Sequence, residues 1–531
     1  MRNLTDKTIY DILTPLQRSM ERGETSVFDF RDLFVFEMAN NHQGSLEHGK
    51  KIIREMGVIA KKKNIRGAIK FQFRDLDTFI HPEFRRDKEA KHISRFLSTR
   101  LTESDFETLV KYARRQGLMT MATPFDEVSV DMIDRLGIQI IKVASCSAHD
   151  WPLLERIAQT DRPIIVSVGG LTLKEVDRVV SFFEHRGAHF ALMHCVAVYP
   201  TPDKDLNLNQ ITLMLERYPH ITIGFSTHES PDNTTAIALA YARGARIFEK
   251  HVGVATDTIK LNAYSADPTQ VSHWIDAYRK ARVSCGDDVE RTIGTQEKKD
   301  LQTLLRGVYV KRKLKAGSII SRNDVFFAMP YQSGQMKSGR FKEGFTADRD
   351  YKKNEPLNAY IEPQRPYKRD IVYGAIREAK AMLAKARIPL NHEFSVEISH
   401  HFGLDKFQET GCMIIECINR EYAKKLIIQF PGQKNPVHYH KEKDETFQVL
   451  FGSLEVVVEG KKRTLFPGDT LWVPRGVWHG FHTNTGVVFE EISTVAKGND
   501  SYYVDKQIAS IPRETRKTYL QNWGRHQFDE E

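Results

Sequence analysis

Residues 163–196 read PIIVSVGGLTLKEVDRVVSFFEHRGAHFALMHCV, and the alternation inside this stretch decides the fold. A short apolar run, PIIVSVGG, leads into an amphipathic stretch, LTLKEVDRVVSFFEHRG, and a second apolar run, FALMHCV, follows. Short continuous apolar runs are what strands buried on both faces look like, and one-sided helices are what covers them. The same alternation extends both ways. Upstream lie LFVFEM, GAIKFQF, LMTMATP and IQIIKVAS, downstream ITIGFST and ARIFEKH, with helix-like segments such as SDFETLVKYARRQG and NTTAIALAYARG between them. Eight strand-then-helix units in roughly 250 residues is the period of a (β/α)₈ TIM barrel. A doubly wound open sheet has fewer strands and a Gly-rich first turn, which this chain lacks.

Beyond the barrel the pattern changes. Residues 284–300 (SCGDDVERTIGTQEKKD) read as a polar linker, and residues 301–362 as a small β-rich module. RDIVYGAIREAKAMLAKAR (369–387) reads as a connecting helix. From about residue 390 short strands with Gly and Pro turns predict an all-β sandwich or small barrel. The expected division is therefore an N-terminal extension (1–32), a barrel (33–285), a small β-rich domain (299–363), a helical linker (364–392) and a final all-β domain (393–531).

The 531 residues are too many for one core, and 40% hydrophobic with 28% charged residues is ordinary for a soluble globular protein. No apolar run is long enough to span a membrane and the start is polar, so a cytoplasmic enzyme without a membrane partner is expected. The five cysteines are few and scattered, which argues against a disulfide framework. The net charge of +9 is diffuse. It fits an anionic small substrate better than nucleic acid, and a solvated surface better than either.

Barrel chemistry happens at the C-terminal ends of the strands. The polar residues there are Glu37, Lys70 with Gln72, Thr123, Lys142 with Ser145, Ser167, Tyr199, Ser226 with His228, and Lys250 with His251. A single strand-end serine is usually a helix cap, and a lone histidine is usually a satisfied core group. Repetition on successive strands is harder to dismiss. Two lysines and several hydroxyls around one mouth suit a phosphate and a carboxylate, and histidines on adjacent strands suit a divalent metal.

The segments EMANNHQGSLEHGKKII, AIKFQF, TPFDEVSVDMIDRLG, IKVAS, HCVAVYP, IGFSTHE and FEKHVG, in this order, resemble the sialic acid synthases and their nonulosonic acid relatives over about residues 34–362. The resemblance implies a barrel followed by an antifreeze-like (SAF) module, and condensation of phosphoenolpyruvate with an open-chain aldose for surface glycan synthesis. It implies that Lys70, Thr123, Lys142, Ser145, Ser167 and Ser226 bind phosphoenolpyruvate, that His228 and His251 hold Mn²⁺ or Mg²⁺, and that Glu37, Gln72 and Tyr199 meet the sugar. A homodimer that exchanges its SAF modules is also implied. The departures fall on the sugar side. The family's acid after KIxS is Ser147 here, its GPDH motif falls on IKLN with Leu261 and Asn262, and the SAF arginine that reaches a neighbouring subunit falls on Met329. Val198 stands where some relatives have Asn. A retained phosphoenolpyruvate side with an altered acceptor is the expectation, with Tyr264 and Lys260 as candidates to rebuild the sugar contacts.

Residues 432–452 (GQKNPVHYHKEKDETFQVLFG) and 468–484 (GDTLWVPRGVWHGFHTN) resemble the two cupin motifs. Strand alternation puts His438 and His440 on one face, and with Glu445 and His479 they form an expected divalent-metal site for Mn, Zn, Fe or Ni. REYAKKLIIQFPGQKNPVHYH with FEEISTVAKGNDSYYVD resembles the cupin of D-lyxose isomerases, over about residues 395–505. That likeness implies a sugar ligand, with Lys425, Glu445 and Glu490 as polar partners. Two other readings stay open: a cupin-centred sugar isomerase or epimerase with a subordinate barrel, and a non-catalytic sugar-binding scaffold.

Overall fold

In the computed structural model the chain forms two compact units that divide between Thr292 and Ile293. The structure describes residues 28–85, 92–287, 291–359, 368–391, 393–494 and 500–527. Most of the expected N-terminal extension, the start of the expected helical linker and its residue 392 lie outside these.

The first unit is a closed parallel barrel of eight strands in sequential order. They are Leu33–Glu37 (β1), Arg66–Phe73 (β2), Met119–Pro124 (β3), Ile140–Val143 (β4), Ile164–Ser167 (β5), Phe190–Cys195 (β6), Ile223–Thr227 (β7) and Ile247–His251 (β8). Each of the eight apolar runs read from the sequence supplies one strand. Closure comes from β1 on β8, which pair from Leu33↔Ile247 to Glu37↔His251.

Alternation along each strand sorts the side chains into two cores. Phe34, Phe36, Ile69, Phe71, Ile141, Val143, Val166, Leu192 and Phe248 point outward into the layer shared with the helices. Leu33, Val35, Ala68, Met121, Ile140, Ile165, Ala191, Met193 and Ile247 fill the barrel interior. At β7 the interior has no room for a side chain: a Cβ on Gly224 would stand 2.7 Å from Ile247 Cβ. The helices begin at caps that the sequence supplies. Thr102 with Asp105, Thr172 with Glu175, and Asp267 with Gln270 each form a capping box, and each such cap stabilises its helix by about 1 kcal/mol.

The last barrel helix ends at Cys285, and a second helix, with no buried residue, runs from Thr295 to Leu304. The stretch 284–300 is therefore only partly a linker. Its second half, TQEKKD, contains good helix formers and neither Gly nor Pro, and Gly294 opens the helix.

The small β-rich module contains Gly307–Val310 (β9), Ile319–Ile320 (β10), Val325–Ala328 (β11) and Phe345–Thr346 (β12), pairing as β9–β11 and β10–β12. Its core is Val308, Val310, Leu314, Ile320, Val325, Met336, Tyr351 and Leu357. The cupin contains Val396–Ser399 (β13), Cys412–Asn419 (β14), Tyr422–Gln429 (β15), Lys434–Tyr439 (β16), Glu445–Gly452 (β17), Leu454–Val458 (β18), Lys461–Leu465 (β19), Thr470–Val473 (β20), His479–His482 (β21), Val487–Thr494 (β22), Tyr502–Tyr503 (β23) and Lys517–Leu520 (β24). They form a seven-stranded sheet, β20-β17-β22-β15-β14-β13-β24, and a five-stranded sheet, β19-β18-β21-β16-β23.

The helix Lys368–Lys385 is not a free connector. Val372, Ala375, Ile376, Ala379, Met382 and Leu383 are buried with Val396, Ile398, Met413, Ile415, Leu426, Ile428 and Val488, in one core on the outer face of the seven-stranded sheet. The opposite face, with Ile427, Phe447, Val449 and Phe489, packs between the sheets against residues of the five-stranded sheet such as Phe481. Residues on β15 and β22 therefore alternate between the helix and the cupin interior.

Candidate active site and metal centre

Continued two residues further along seven of the eight strands, the inward parity of the barrel core changes from apolar to polar or charged. Val35 gives way to Glu37, Ala68 to Lys70, Met121 to Thr123, Ile140 to Lys142, Ile165 to Ser167, Gly224 to Ser226 and Ile247 to Glu249. All seven polar residues are buried. Lys70 Nζ lies 2.5 Å from Glu37 Oε2 and 2.9 Å from Glu249 Oε1. Ser226 Oγ donates to the same Glu249 oxygen at 2.9 Å. Lys142 Nζ donates to Ser167 Oγ at 2.5 Å and sits 4.0 Å from Glu249 Oε2. Ser145 Oγ accepts the Gly169 N–H at 2.9 Å. Thr123 Oγ1 and Glu249 Oε2 are buried without hydrogen-bond partners, which leaves the ring open to a ligand.

Electrostatics divides the two lysines. Burial pulls the Lys70 pKa down, but Glu249 and Glu37 outweigh it, raise it and hold the ammonium charged. Lys142 has only the more distant share of Glu249, so burial wins and its pKa falls to about 8. Burial also raises Glu37, while the two lysines override burial at Glu249 and keep it ionised. Glu249 is the member that sequence reading missed. It lies two residues before His251 on the same strand face, and parity was the signal that could have found it.

Lys250 does not belong to this ring. It has the opposite parity and points outward, where its Nζ meets Glu229 Oε1 at 2.8 Å in a fully buried pair. That pair is structural: unpaired, either charge would cost several kcal/mol in the core.

Above the ring, His228 and His251 face one another with ring centroids 5.3 Å apart. His228 Nδ1 lies 3.0 Å from the Val196 carbonyl, so it carries the proton and Nε2 presents a lone pair. Burial holds both imidazoles neutral, at about 3. The pair suits a divalent ion whose remaining ligands are water or substrate oxygens. The Tyr199 ring lies 4.2 Å from that of His228 with the planes tilted by 50°, and Tyr264 lies 5.2 Å from Tyr199 and 5.1 Å from His251. Gln72 stands at the rim. Arg74, held over Phe125 at 3.6 Å, donates to its Oε1 at 3.1 Å, which turns the Gln72 amide nitrogen toward Glu37. Leu261 packs against Gly253, Asn262 spends its side-chain oxygen on the Tyr264 N–H at 3.1 Å, and Ser147 is buried. Met329 is 54% exposed in the small module.

In the cupin, ligand atoms of His438, His440 and His479 all lie within 4.8 Å of one another and the three residues are buried. Each Nδ1 faces a backbone carbonyl, Pro436 at 2.9 Å, Asp500 at 2.5 Å and Val477 at 3.0 Å, so each Nε2 is a free acceptor. Glu445 completes the set, with Oε2 3.0 Å from His479 Nε2 and Oε1 3.3 Å from His440 Nε2. His479 Nε2 and Glu445 Oε2 are both buried without hydrogen-bond partners. Two lone pairs pointed at each other cannot bond without a shared cation, and this donor set fits a divalent metal. Lys443, absent from the sequence reading, contacts Glu445 and lies 2.8 Å from Glu491 Oε1. Lys425 Nζ stands 3.7 Å from Glu491. Glu490 does not join them: it has the other parity on β22 and pairs with Lys424 at 2.8 Å. The cavity lined by these histidines and Glu445 measures about 500 Å³, within the range of small-molecule sites.

The chain matches the NeuB family over residues 59–290 and a cupin domain over residues 426–506. A crystal structure of a Chromobacterium violaceum protein assigned to spore coat polysaccharide biosynthesis is 42% identical, covers 62% of this chain and 99% of its own, and superposes with a TM-score of 0.60. An uncharacterized protein of Methanocaldococcus jannaschii is 30% identical over 56% of this chain and 84% of its own length. The chain belongs to the NeuB family. A second relative of this NeuB-family chain, the N-acetylneuraminate-9-phosphate synthase of Drosophila melanogaster, is 31% identical over 41% of the present chain and 59% of that protein. None of the described helices is long and apolar enough to cross a membrane.

Proposed function

We propose that the barrel condenses phosphoenolpyruvate with an open-chain aldose, giving a nonulosonic or related 3-deoxy-2-keto sugar acid and inorganic phosphate for surface glycan synthesis. One observation carries the reading: two buried lysines and a ring of hydroxyls lie directly below a pair of neutral histidines at the C-terminal mouth of a NeuB-family barrel.

Lys70, Lys142, Thr123, Ser145, Ser167 and Ser226 bind the phosphate and carboxylate of phosphoenolpyruvate, whose negative charge persists through the transition state. C3 of phosphoenolpyruvate bonds to the aldehyde carbon, and the aldehyde oxygen takes a proton to become a hydroxyl. Water adds at C2, and phosphate leaves as its bond to C2 breaks. Glu37 orients the incoming water or sugar hydroxyl, and Gln72 and Tyr199 flank the acceptor. His228 and His251 would hold Mn²⁺ or Mg²⁺, which supplies Lewis-acid polarisation of the aldehyde. The cupin is proposed to hold a divalent metal and a sugar. The active form is proposed to be a cytoplasmic homodimer that exchanges small modules.

The acceptor differs from N-acetylmannosamine in this reading. Leu261 is apolar, Asn262 is committed to its own turn, and Met329 offers no charge. A missing polar contact in a buried site discriminates strongly. The test supplies phosphoenolpyruvate with N-acetylmannosamine, its 4,6-dideoxy diamino relatives, pentoses and hexoses, and follows phosphate release and product mass. Higher kcat/KM for another acceptor is expected. Best turnover with N-acetylmannosamine would refute the acceptor assignment, and no phosphate release with any sugar would refute the condensation itself.

A further inference from the structure

We propose that the cupin cavity binds an anionic sugar, with the sugar hydroxyls toward the histidine cluster and the anion on Arg516 and Arg513. The inference rests on the reading above only in taking the cupin ligand to be a sugar.

A count of charges along the cavity wall leads to it. Glu445 and Glu491 are held by Lys443, with Lys425 close to Glu491. Glu397 is neutralised by Lys517 Nζ at 2.6 Å, and Glu416 is exposed, accepting from Asn419 at 3.3 Å. The carboxylates are thus occupied or at the rim, and the two arginines of the segment preceding β24 remain. Both line the cavity. Arg516 Nε is buried with no hydrogen-bond partner. A buried guanidinium nitrogen without an acceptor is unfavourable unless a ligand supplies one.

The arginine is also placed relative to the metal ligands. Its guanidinium lies 5.1 Å from the centre of the Tyr503 ring, and Tyr503 stacks on His438 at 5.5 Å with the planes 27° apart. The anion position is therefore two stacking distances from a metal-ligand imidazole, a span that a monosaccharide bridges. His401, 5.3 Å from Tyr503 and bonded to Asn435 at 3.0 Å, lies on the same wall. Burial holds it neutral at about 4, and the charges of Arg516 and Lys517 push the same way. A planar guanidinium suits a carboxylate or a phosphate ester, which both present paired oxygens. The first is the group on the proposed barrel product, and the second the group on a phosphorylated sugar.

The experiment uses the full-length chain carrying His228→Ala and His251→Ala, so that the barrel does not obscure the cupin, loaded with Mn²⁺. Calorimetry compares D-gluconate, D-glucose 6-phosphate and D-glucose. At least one anion is expected to bind tenfold or more tightly than glucose, to weaken with salt, and to lose tenfold or more in Arg516→Ala, while Arg516→Lys, which keeps the charge and loses the paired donors, restores only part of it. Preference for gluconate identifies a carboxylate ligand, and preference for the phosphate a phosphosugar. Equal affinity for glucose and both anions would overturn the proposal, as would absence of anion binding. Arg513→Ala, at a half-exposed position, provides the second variant if Arg516→Ala does not fold, and unchanged anion affinity there would also count against the site.

Discussion

Lys142 gives the barrel a pH dependence whose sign and size follow from its surroundings. Burial depresses its pKa to about 8, and Glu249 is the charge that opposes the fall most strongly. Below pH 8 the ammonium is intact and can pair with the anionic substrate; above it each pH unit removes about nine-tenths of the charged form. The pH profile of kcat/KM reports groups on the free enzyme. It should therefore be level toward neutrality for phosphoenolpyruvate, and decline tenfold per unit above about pH 8.

Glu249→Gln moves that limb. Two unit charges 4.0 Å apart interact by about 4 kcal/mol at an effective dielectric constant near 20, and one pKa unit is about 1.4 kcal/mol. Lys70 and Ser226 bind the same carboxylate and take up part of this, so the limb should fall by at least about one unit, to pH 7 or below. Lys142→Arg keeps a charge that does not titrate, so its limb should disappear. The assay is initial-rate phosphate release at subsaturating phosphoenolpyruvate, from about pH 6 to 10. A limb that stays in place in Lys142→Arg belongs to another group, and a limb that Glu249→Gln leaves unmoved would refute the coupling.

Three further outcomes are expected. His228→Ala and His251→Ala should each lower kcat about 10²-fold or more, because in the proposed mechanism each would hold the divalent ion; near-normal turnover in both would sink the barrel mechanism. His438→Ala combined with His440→Ala should remove about one bound metal per chain by elemental analysis and leave condensation chemistry in the barrel; an unchanged metal count would empty the proposed cupin centre. Leu383→Ala should destabilise the cupin by about 2–5 kcal/mol in urea unfolding, since its side chain is buried between helix and sheet; a loss below about 1 kcal/mol would mean that the helix is only a connector.

What the sequence shows and what it hides divide along physical lines. The barrel was legible because eight buried parallel strands leave eight short, mainly apolar runs, and the cupin histidine cluster because His438 and His440 are two residues apart at the end of one strand. Local patterns carry that information. Glu249 was hidden because its importance comes from Lys70, Lys142 and Ser226, three strands scattered along the chain. Lys250, near the end of β8, and Glu490, in the middle of β22, misled for the reverse reason: each is a charge of the right type with the wrong parity, and one step along a strand reverses the face. The helix at 368–385 has a readable apolar stripe, but nothing in the stripe says which sheet it covers. The acceptor side joins both cases. Leu261 and Asn262 announce that polar contacts are gone, whereas only three dimensions bring Tyr199 and Tyr264 against the two histidines. We infer that this aromatic wall, beside the apolar Leu261, favours an acceptor that presents C–H surface to the ring faces, since a ring face buries apolar area.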